Sequence, residues 1–272
     1  MSWWGKLAGG AFGFMLGGPL GAMLGAVLGH NLDRGLKNFK QEEELEPGER
    51  ERVQTAFFTA TFSVMGHLAK TDGRVSEKEI ILARSVMNQM ALNPEMRNAA
   101  MQLFNEGKAG DFPLDDVIEQ FRQECHRRRT LIQMFMEIQL QAAYADGPIT
   151  PGEEQLLLHI CGKLGIPEFL FRGLERMIQA ELHFAGQGRT GGGPRGAPEP
   201  AGPSLEDAYA LLNVSSDASD AEVKKAYRRQ LSQHHPDKLV AKGLPEEMMK
   251  LAATKTHEIR QAYELVGSAR GW

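Results

Sequence analysis

The stretch from Leu7 to Gly29 carries no charged residue, and this dictates what the start of the chain can become. At about 1.5 Å per residue, such a helix reaches about 35 Å, enough to span the hydrocarbon core of a bilayer. A helix suits that medium because it satisfies its own backbone polar groups. Trp3 and Trp4 stand just ahead, where an interfacial aromatic belt would hold them. Gly9, Gly13, Gly17, Gly21, Gly25 and Gly29 recur every fourth residue. A row of small residues at that spacing lets two helices approach closely, so the span is expected to form a homodimer through these glycines. Pro19 should kink the helix, which bilayer helices tolerate. A cleaved signal peptide fits less well, because the apolar run is long and no small-x-small site precedes a change in character. Arg34, Lys37 and Lys40 follow the span, against Lys6 before it. Positive flanks stay inside, so the C-terminal body is expected in the cytoplasm and residues 1–6 on the far side. Cys125 and Cys161 make no disulfide framework, in keeping with a reducing compartment.

After a juxtamembrane connector (30–48), running into an acidic stretch from Gln41 to Glu51, residues 49–184 show apolar positions at helical spacing throughout. Turns are expected at Asp72-Gly73, Asn93-Pro94, Asp111-Phe112-Pro113, Asp146-Gly147-Pro148 and Ile166-Pro167. The segment is long enough to bury its own core. It contains an internal repeat with an offset of 74 residues: Asp72-Gly73-Arg74-Val75-Ser76 aligns with Asp146-Gly147-Pro148-Ile149-Thr150, and Glu79 with Glu153. Leu82, Val86, Met90 and Leu92 then align with Leu156, Ile160, Leu164 and Ile166. Ser76/Glu79 and Thr150/Glu153 have the spacing of capping boxes. Asp72, Asp146, Glu79 and Glu153 could form a carboxylate metal site between the repeats, but turn and cap chemistry explains each of them locally. No metal or cofactor is therefore expected. Met134, Phe135 and Met136 read as core. His67 and His159 have no partner visible in the sequence.

Residues 185–203 are mostly Gly and Pro and should form a flexible linker. Beyond it, Ser219 and Glu222 make another capping box, opening a helix near Asp220. Val223, Ala226, Tyr227 and Leu231 form its apolar face, and Lys224, Lys225, Arg228 and Arg229 a cationic stripe. Pro236 lacks an amide hydrogen and disfavours helical geometry at His235, so this helix should end at about His234. His235-Pro236-Asp237 then forms a rigid corner. A short helix (Leu205 to Leu212) precedes the basic one and a longer helix (Glu246 to Val266) follows, with Ile259, Ala262, Tyr263 and Leu265 packing against it. Residues 204–272 contain ten Lys or Arg against ten Asp or Glu, so the stripe is a local patch on a neutral segment. That argues against nucleic acid as a partner. His234, His235 and Asp237 do not suggest a metal site, since adjacent histidines point apart.

Two helices joined by an H-P-D corner resemble the J domain of the DnaJ co-chaperones, and the 49–184 body is similar to TerB-like domains associated with tellurite resistance. The order of parts resembles the inner-membrane DnaJ-like co-chaperones of Gram-negative bacteria. Within that resemblance Met65-Gly66-His67-Leu68 and Lys238-Leu239-Val240-Ala241-Lys242-Gly243-Leu244-Pro245 are its most specific stretches. The expected architecture is all-α: a periplasmic N-terminus (1–6), a transmembrane helix (7–29), a connector (30–48), a TerB-like domain (49–184), a linker (185–203) and a J-domain hairpin (204–272). The resemblance implies that His235, Pro236 and Asp237, steered by Lys224, Lys225, Arg228 and Arg229, bind ATP-bound DnaK and favour its hydrolysis-competent state. The chain would then be no enzyme but an activator of another protein's ATPase. It departs from general DnaJ proteins in lacking a Gly/Phe-rich region and a CxxCxGxG zinc module, which implies a restricted set of membrane-proximal clients. The family output implied is control of envelope and capsule signalling. The competing expectation is a membrane signalling or metal-binding adaptor acting mainly through the TerB-like body.

Overall fold

The computed structural model describes residues 20, 21, 23, 47–71, 84, 86–88, 92–145, 147–187, 204–245 and 248–272. Among the described residues every element is a helix, as the spacing of apolar residues leads one to expect. The body holds α1 (Pro47–Ala69), α2 (Pro94–Gly107), α3 (Leu114–Glu124), α4 (Arg129–Ala143), α5 (Pro151–Leu164) and α6 (Glu168–Gln187). The C-terminal unit holds α7 (Leu205–Leu212), α8 (Asp220–His234), α9 (Pro236–Ala241) and α10 (Met249–Arg270).

Helix α1 is the axis of the body. Every residue from 56 to 66 is buried, the mark of a helix enclosed on all sides rather than one lying at a surface. It crosses α2 at two glycines. A Cβ on Gly66 would lie 1.9 Å from the Phe104 carbonyl oxygen, and one on Gly107 would lie 1.8 Å from that of Ser63. Backbone meets backbone there, so no larger residue fits without separating the helices. Phe57, Phe121 and Phe135 tie α1, α3 and α4 together, with ring centroids 6.0 Å and 4.6 Å apart. Edge-on and tilted rings at these separations add to the area they bury.

The caps follow local chemistry. Asn93 accepts from the Met96 amide to start α2. Thr150 and Glu153 form the expected capping box of α5, which closes at Gly165 in the left-handed region (φ 70°). Glu153 is thereby committed to a helix end; Asp72, Glu79 and Asp146 lie outside the described residues, as does most of the first repeat. Among the described residues no group of three or more His, Cys, Asp or Glu side chains is arranged to hold a metal ion. The aligned pairs that can be compared, Val86 with Ile160 and Leu92 with Ile166, all pack in or against one apolar core. Met134, Phe135 and Met136 are buried in it as well.

The two histidines with no partner visible in the sequence both have one in the fold. His67 Nδ1 lies 3.2 Å from the Gly107 carbonyl and its ring lies on Phe112. His159 Nε2 lies 2.7 Å from Asp115 Oδ1, which Lys163 also contacts at 2.6 Å. Both partners sit 40 or more residues away in sequence, beyond the reach of a local pattern.

Helix α6 continues to Gln187, into the segment expected to be a linker. Most of the apolar stretch 7–29 lies outside the described residues. Leu20 is buried against the body, its amide donating to Gln120 Oε1 at 2.7 Å. Gly21 is helical and half-buried; the other glycines of the row are outside the described residues. Among the described residues no helix is long and apolar enough to cross a membrane.

Candidate functional site

The C-terminal unit is assembled from its caps inward. Ser204 caps α7, whose C-terminus is closed by Asn213 in the left-handed region (φ 55°). Asparagine tolerates that conformation better than other non-glycine residues. Ser219 and Glu222 form the reciprocal box that opens α8 at Asp220. Val223, Ile259, Ala262 and Val266 bury themselves with Leu211 and Leu212 between α7, α8 and α10. Tyr227 stacks on Tyr263 with centroids 4.0 Å apart. Arg270 locks the open end: its guanidinium donates to Tyr209 Oη, to the Ser216 and Ala218 carbonyls and to Asp220. That contact holds the Asp220 carboxyl below its ordinary range.

At the other end of α8 the chain turns sharply. The helix stops at His234, His235 is extended (φ −63°, ψ 124°), and Pro236 opens α9 as its first residue. Proline suits that position because its missing amide would have no helical partner there. The corner is thus tighter than a loop: one helix ends and a short one begins across a single extended residue. Asp237 projects into solvent, its side chain 82% exposed. His235 is half-covered, and its Nδ1 is buried without a hydrogen-bond partner among the described residues. It stands 4.0 Å from Asp237 Oδ2, too far for a hydrogen bond. Lys238 donates to Ser232 Oγ at 2.7 Å, bracing α9 against α8.

Lys224, Lys225, Arg228 and Arg229 are all exposed along one face of α8. Lys224 lies over the Trp272 ring, 4.8 Å from its centroid, and Trp272 leans on Tyr263. The stripe is therefore buttressed by aromatic residues at one end while its charges remain in water. Expected stripe and expected corner are contiguous, on one helix and its terminus.

A neighbouring set of residues escaped the sequence reading. His234 is buried at the foot of α8, with Nε2 3.1 Å from both carboxylate oxygens of Glu137 on α4, 97 residues away. Its Nδ1 faces the Gln230 carbonyl at 3.0 Å. Both neighbours are hydrogen-bond acceptors. Lys255 of α10 reaches the same Glu137 at 2.9 Å and Glu181 of α6 at 2.8 Å. Burial alone would raise the Glu137 carboxyl, but Lys255 and His234 outweigh it and hold it well below its usual range. Lys255 is correspondingly held above its own. Glu258, beside Glu181, is pushed up to about 8 by burial and by that neighbouring negative charge. The adjacent pair His234-His235 thus splits, one ring facing the body and the other the corner.

Three family matches divide the chain. Residues 1–39 match the co-chaperone DjlA transmembrane domain, 58–175 match tellurite resistance protein TerB, and 207–270 match the DnaJ domain. Among curated relatives, the co-chaperone protein DjlA of Legionella pneumophila is 42% identical over 100% of this chain and 97% of its own. That of Yersinia pseudotuberculosis is 44% identical over the whole of both chains. That of Escherichia coli K12 is 46% identical over 82% of this chain and 83% of its own. No solved structure matches.

Proposed function

Because the chain belongs to the family of co-chaperone protein DjlA, we propose that it binds ATP-bound DnaK through its J domain and stimulates the ATPase of that chaperone. His235, Pro236 and Asp237 form the docking corner. Lys224, Lys225, Arg228 and Arg229 steer it toward an acidic surface of the partner. The observation that carries this reading is the corner itself, a rigid helix end with an exposed carboxylate, continuous with an exposed cationic face. No step of acid–base chemistry is assigned to His235 or Asp237. Their contribution is a coupling free energy: docking favours the hydrolysis-competent state of the partner.

The anchor belongs to the same proposal. The 1–39 segment matching a transmembrane domain makes this a membrane-anchored co-chaperone. We place it in the inner membrane as a single pass, with residues 1–6 periplasmic and everything after residue 29 cytoplasmic, where ATP-bound DnaK resides. Gly9, Gly13, Gly17, Gly21, Gly25 and Gly29 pair two chains. The TerB-like body is held at the membrane, where the clients are membrane-proximal proteins and the output is envelope and capsule signalling.

The test is single-turnover ATP hydrolysis by DnaK with the full chain in lipid nanodiscs. We expect an acceleration on the order of tenfold, equivalent to about 1.4 kcal/mol of barrier. His235→Gln should remove it while leaving the helical content intact. Equal stimulation by wild type and His235→Gln would discard the corner as the docking site.

A further inference from the structure

The J domain does not stand clear of the body. Its H-P-D corner is gripped on both sides by residues of the TerB-like helices. Ahead of the corner, His234 and Lys255 meet Glu137 and Glu181 in a cluster where each side chain is 9% exposed or less. Gln141 donates to Glu181 at 2.6 Å and fixes the second carboxylate. The Thr256 hydroxyl donates to the His234 carbonyl at 3.0 Å, so the helix end that meets the body is also the one that sets the corner. Behind the corner, Leu239 and Leu244 are fully buried and belong to the apolar core of the body. Gly243, at φ 98°, passes so close to α1 that a Cβ there would lie 2.7 Å from Val53 Cγ1. Lys242 reaches across to Thr130 Oγ1 at 2.8 Å.

The two grips differ in kind. The apolar one supplies area. The ionic one supplies selection among arrangements, because a buried charge cluster is satisfied in a single geometry and breaks even against hydration at best. Two carboxylates, Glu137 and Glu181, face two basic groups, Lys255 and His234, and Glu258 completes the set. Each basic group lies on the J domain and both of their acceptors lie on the body. Separating the units therefore parts every opposite-charge pair of the cluster at once.

What the grip leaves outside is informative. The cationic stripe and Asp237 face solvent, while the His235 ring is half-covered with Nδ1 turned inward. A chaperone can thus meet the stripe of the docked form but finds the flanks of the corner occupied. We propose that the TerB-like body is an intramolecular brake on its own J domain, latched by Glu137 and Glu181 on His234 and Lys255, and that release of this contact is needed for full stimulation of the chaperone. The inference rests on the reading of the corner as the chaperone-docking site.

Two manipulations of the full chain in nanodiscs test it, both read by single-turnover ATP hydrolysis of DnaK. First, Thr130→Cys with Lys242→Cys is bridged by a short bismaleimide, which holds the docked form; Cys125 and Cys161 are buried away from the reagent. Bridging should reduce stimulation by about fivefold or more relative to the same variant unbridged, the low end of a typical coupling. Second, Glu137→Gln in that background should lower the bridging yield and raise unbridged stimulation above wild type. Equal stimulation before and after bridging would overturn the brake, and so would an unchanged bridging yield with Glu137→Gln. If no form stimulates and His235→Gln is indistinguishable from wild type, the chaperone reading itself has failed and the brake falls with it.

Discussion

Glu258 shows how much one carboxyl can report about a contact between two folded units. Burial and the charge of Glu181 raise it from 4.5 to about 8, while Glu137 on the opposite face is lowered from the same ordinary value by Lys255 and His234. The signs oppose each other. A raised carboxyl holds a proton in the docked state that free solution would remove. Its contribution is complete below 4.5 and is lost as pH rises through about 8. A lowered carboxyl contributes above 4.5 and loses that contribution as pH falls through its depressed value. The docked arrangement should therefore be firmest near pH 4.5, where both contributions are complete, and should loosen progressively as pH rises from there through about 8. The charged groups facing Glu258 are Glu181 from α6 and Lys255 from its own helix. Bismaleimide bridging between Thr130→Cys and Lys242→Cys, measured from about pH 6 to about pH 9 with the reagent rate calibrated on a free thiol, should decline toward high pH. Glu258→Gln should flatten that decline. A yield with the same slope in both would show that another group sets the alkaline limb. None of these residues was legible in sequence: Glu137 sits within Met134-Phe135-Met136-Glu137-Ile138, an apolar run where a lone acid reads as surface, and its partner is 97 residues away.

At the scale of the element, sequence was a good guide because the determinants are local. The Ser219/Glu222 and Thr150/Glu153 boxes and the stop before Pro236 each involve residues within four positions, and the structure places them where spacing puts them, while Ser76/Glu79 lies outside the described residues; Asn93, expected only as part of a turn, caps α2. Helix α9 was missed because six residues are too few to show a period; the signal was Pro236 itself, which favours a first helical position as much as it ends the helix before. The cationic stripe of α8 was legible for the same local reason, and it carries a prediction of its own. The C-terminal segment is neutral overall, so the proposed steering rests on this local patch and not on net charge. Association of the full chain with ATP-bound DnaK, followed by stopped flow, should slow as salt rises from about 0.05 M to 0.5 M, where the screening length shrinks to a few ångströms. Lys225→Glu with Arg228→Glu should slow the low-salt rate about tenfold or more and remove most of the salt dependence. Dissociation should change less. A variant whose salt slope matches wild type would place the electrostatic attraction elsewhere on the molecule.

Across the whole molecule, the boundary drawn by composition differs from the boundary drawn by packing. Glycine and proline divide 185–203 from its neighbours, yet α6 runs on to Gln187, and Phe184 near its end is buried among Ala208, Tyr209, Leu211 and Leu212 of the J domain. In return Leu239, Leu244, Met248, Leu251 and Ala252 of the J domain belong to the core of the body. Each unit therefore completes the other, which a pattern of linkers and periods could not reveal. If this exchange of apolar residues is energetically real, a substitution in the body should loosen the J domain. Phe184→Ala is the discriminating case, because Phe184 is 8% exposed and lies outside the 207–270 match. Truncating a buried phenylalanine costs about 3 kcal/mol or more, and the loss should appear where the contacts are. Native-state amide exchange of the full chain should accelerate in α7 and α10 by about a hundredfold, the equivalent of about 2.7 kcal/mol. Protection in α1 and α2, whose buried residues belong to a different apolar cluster from Phe184, should hold. Faster exchange in α1 as well would mean that the body unfolds around the cavity, and unchanged exchange in α7 would mean that the J domain keeps its core without Phe184. The first pattern makes the J domain a unit that opens separately from the body yet is stabilised by contact with it, which is the physical requirement for a brake that acts from one on the other.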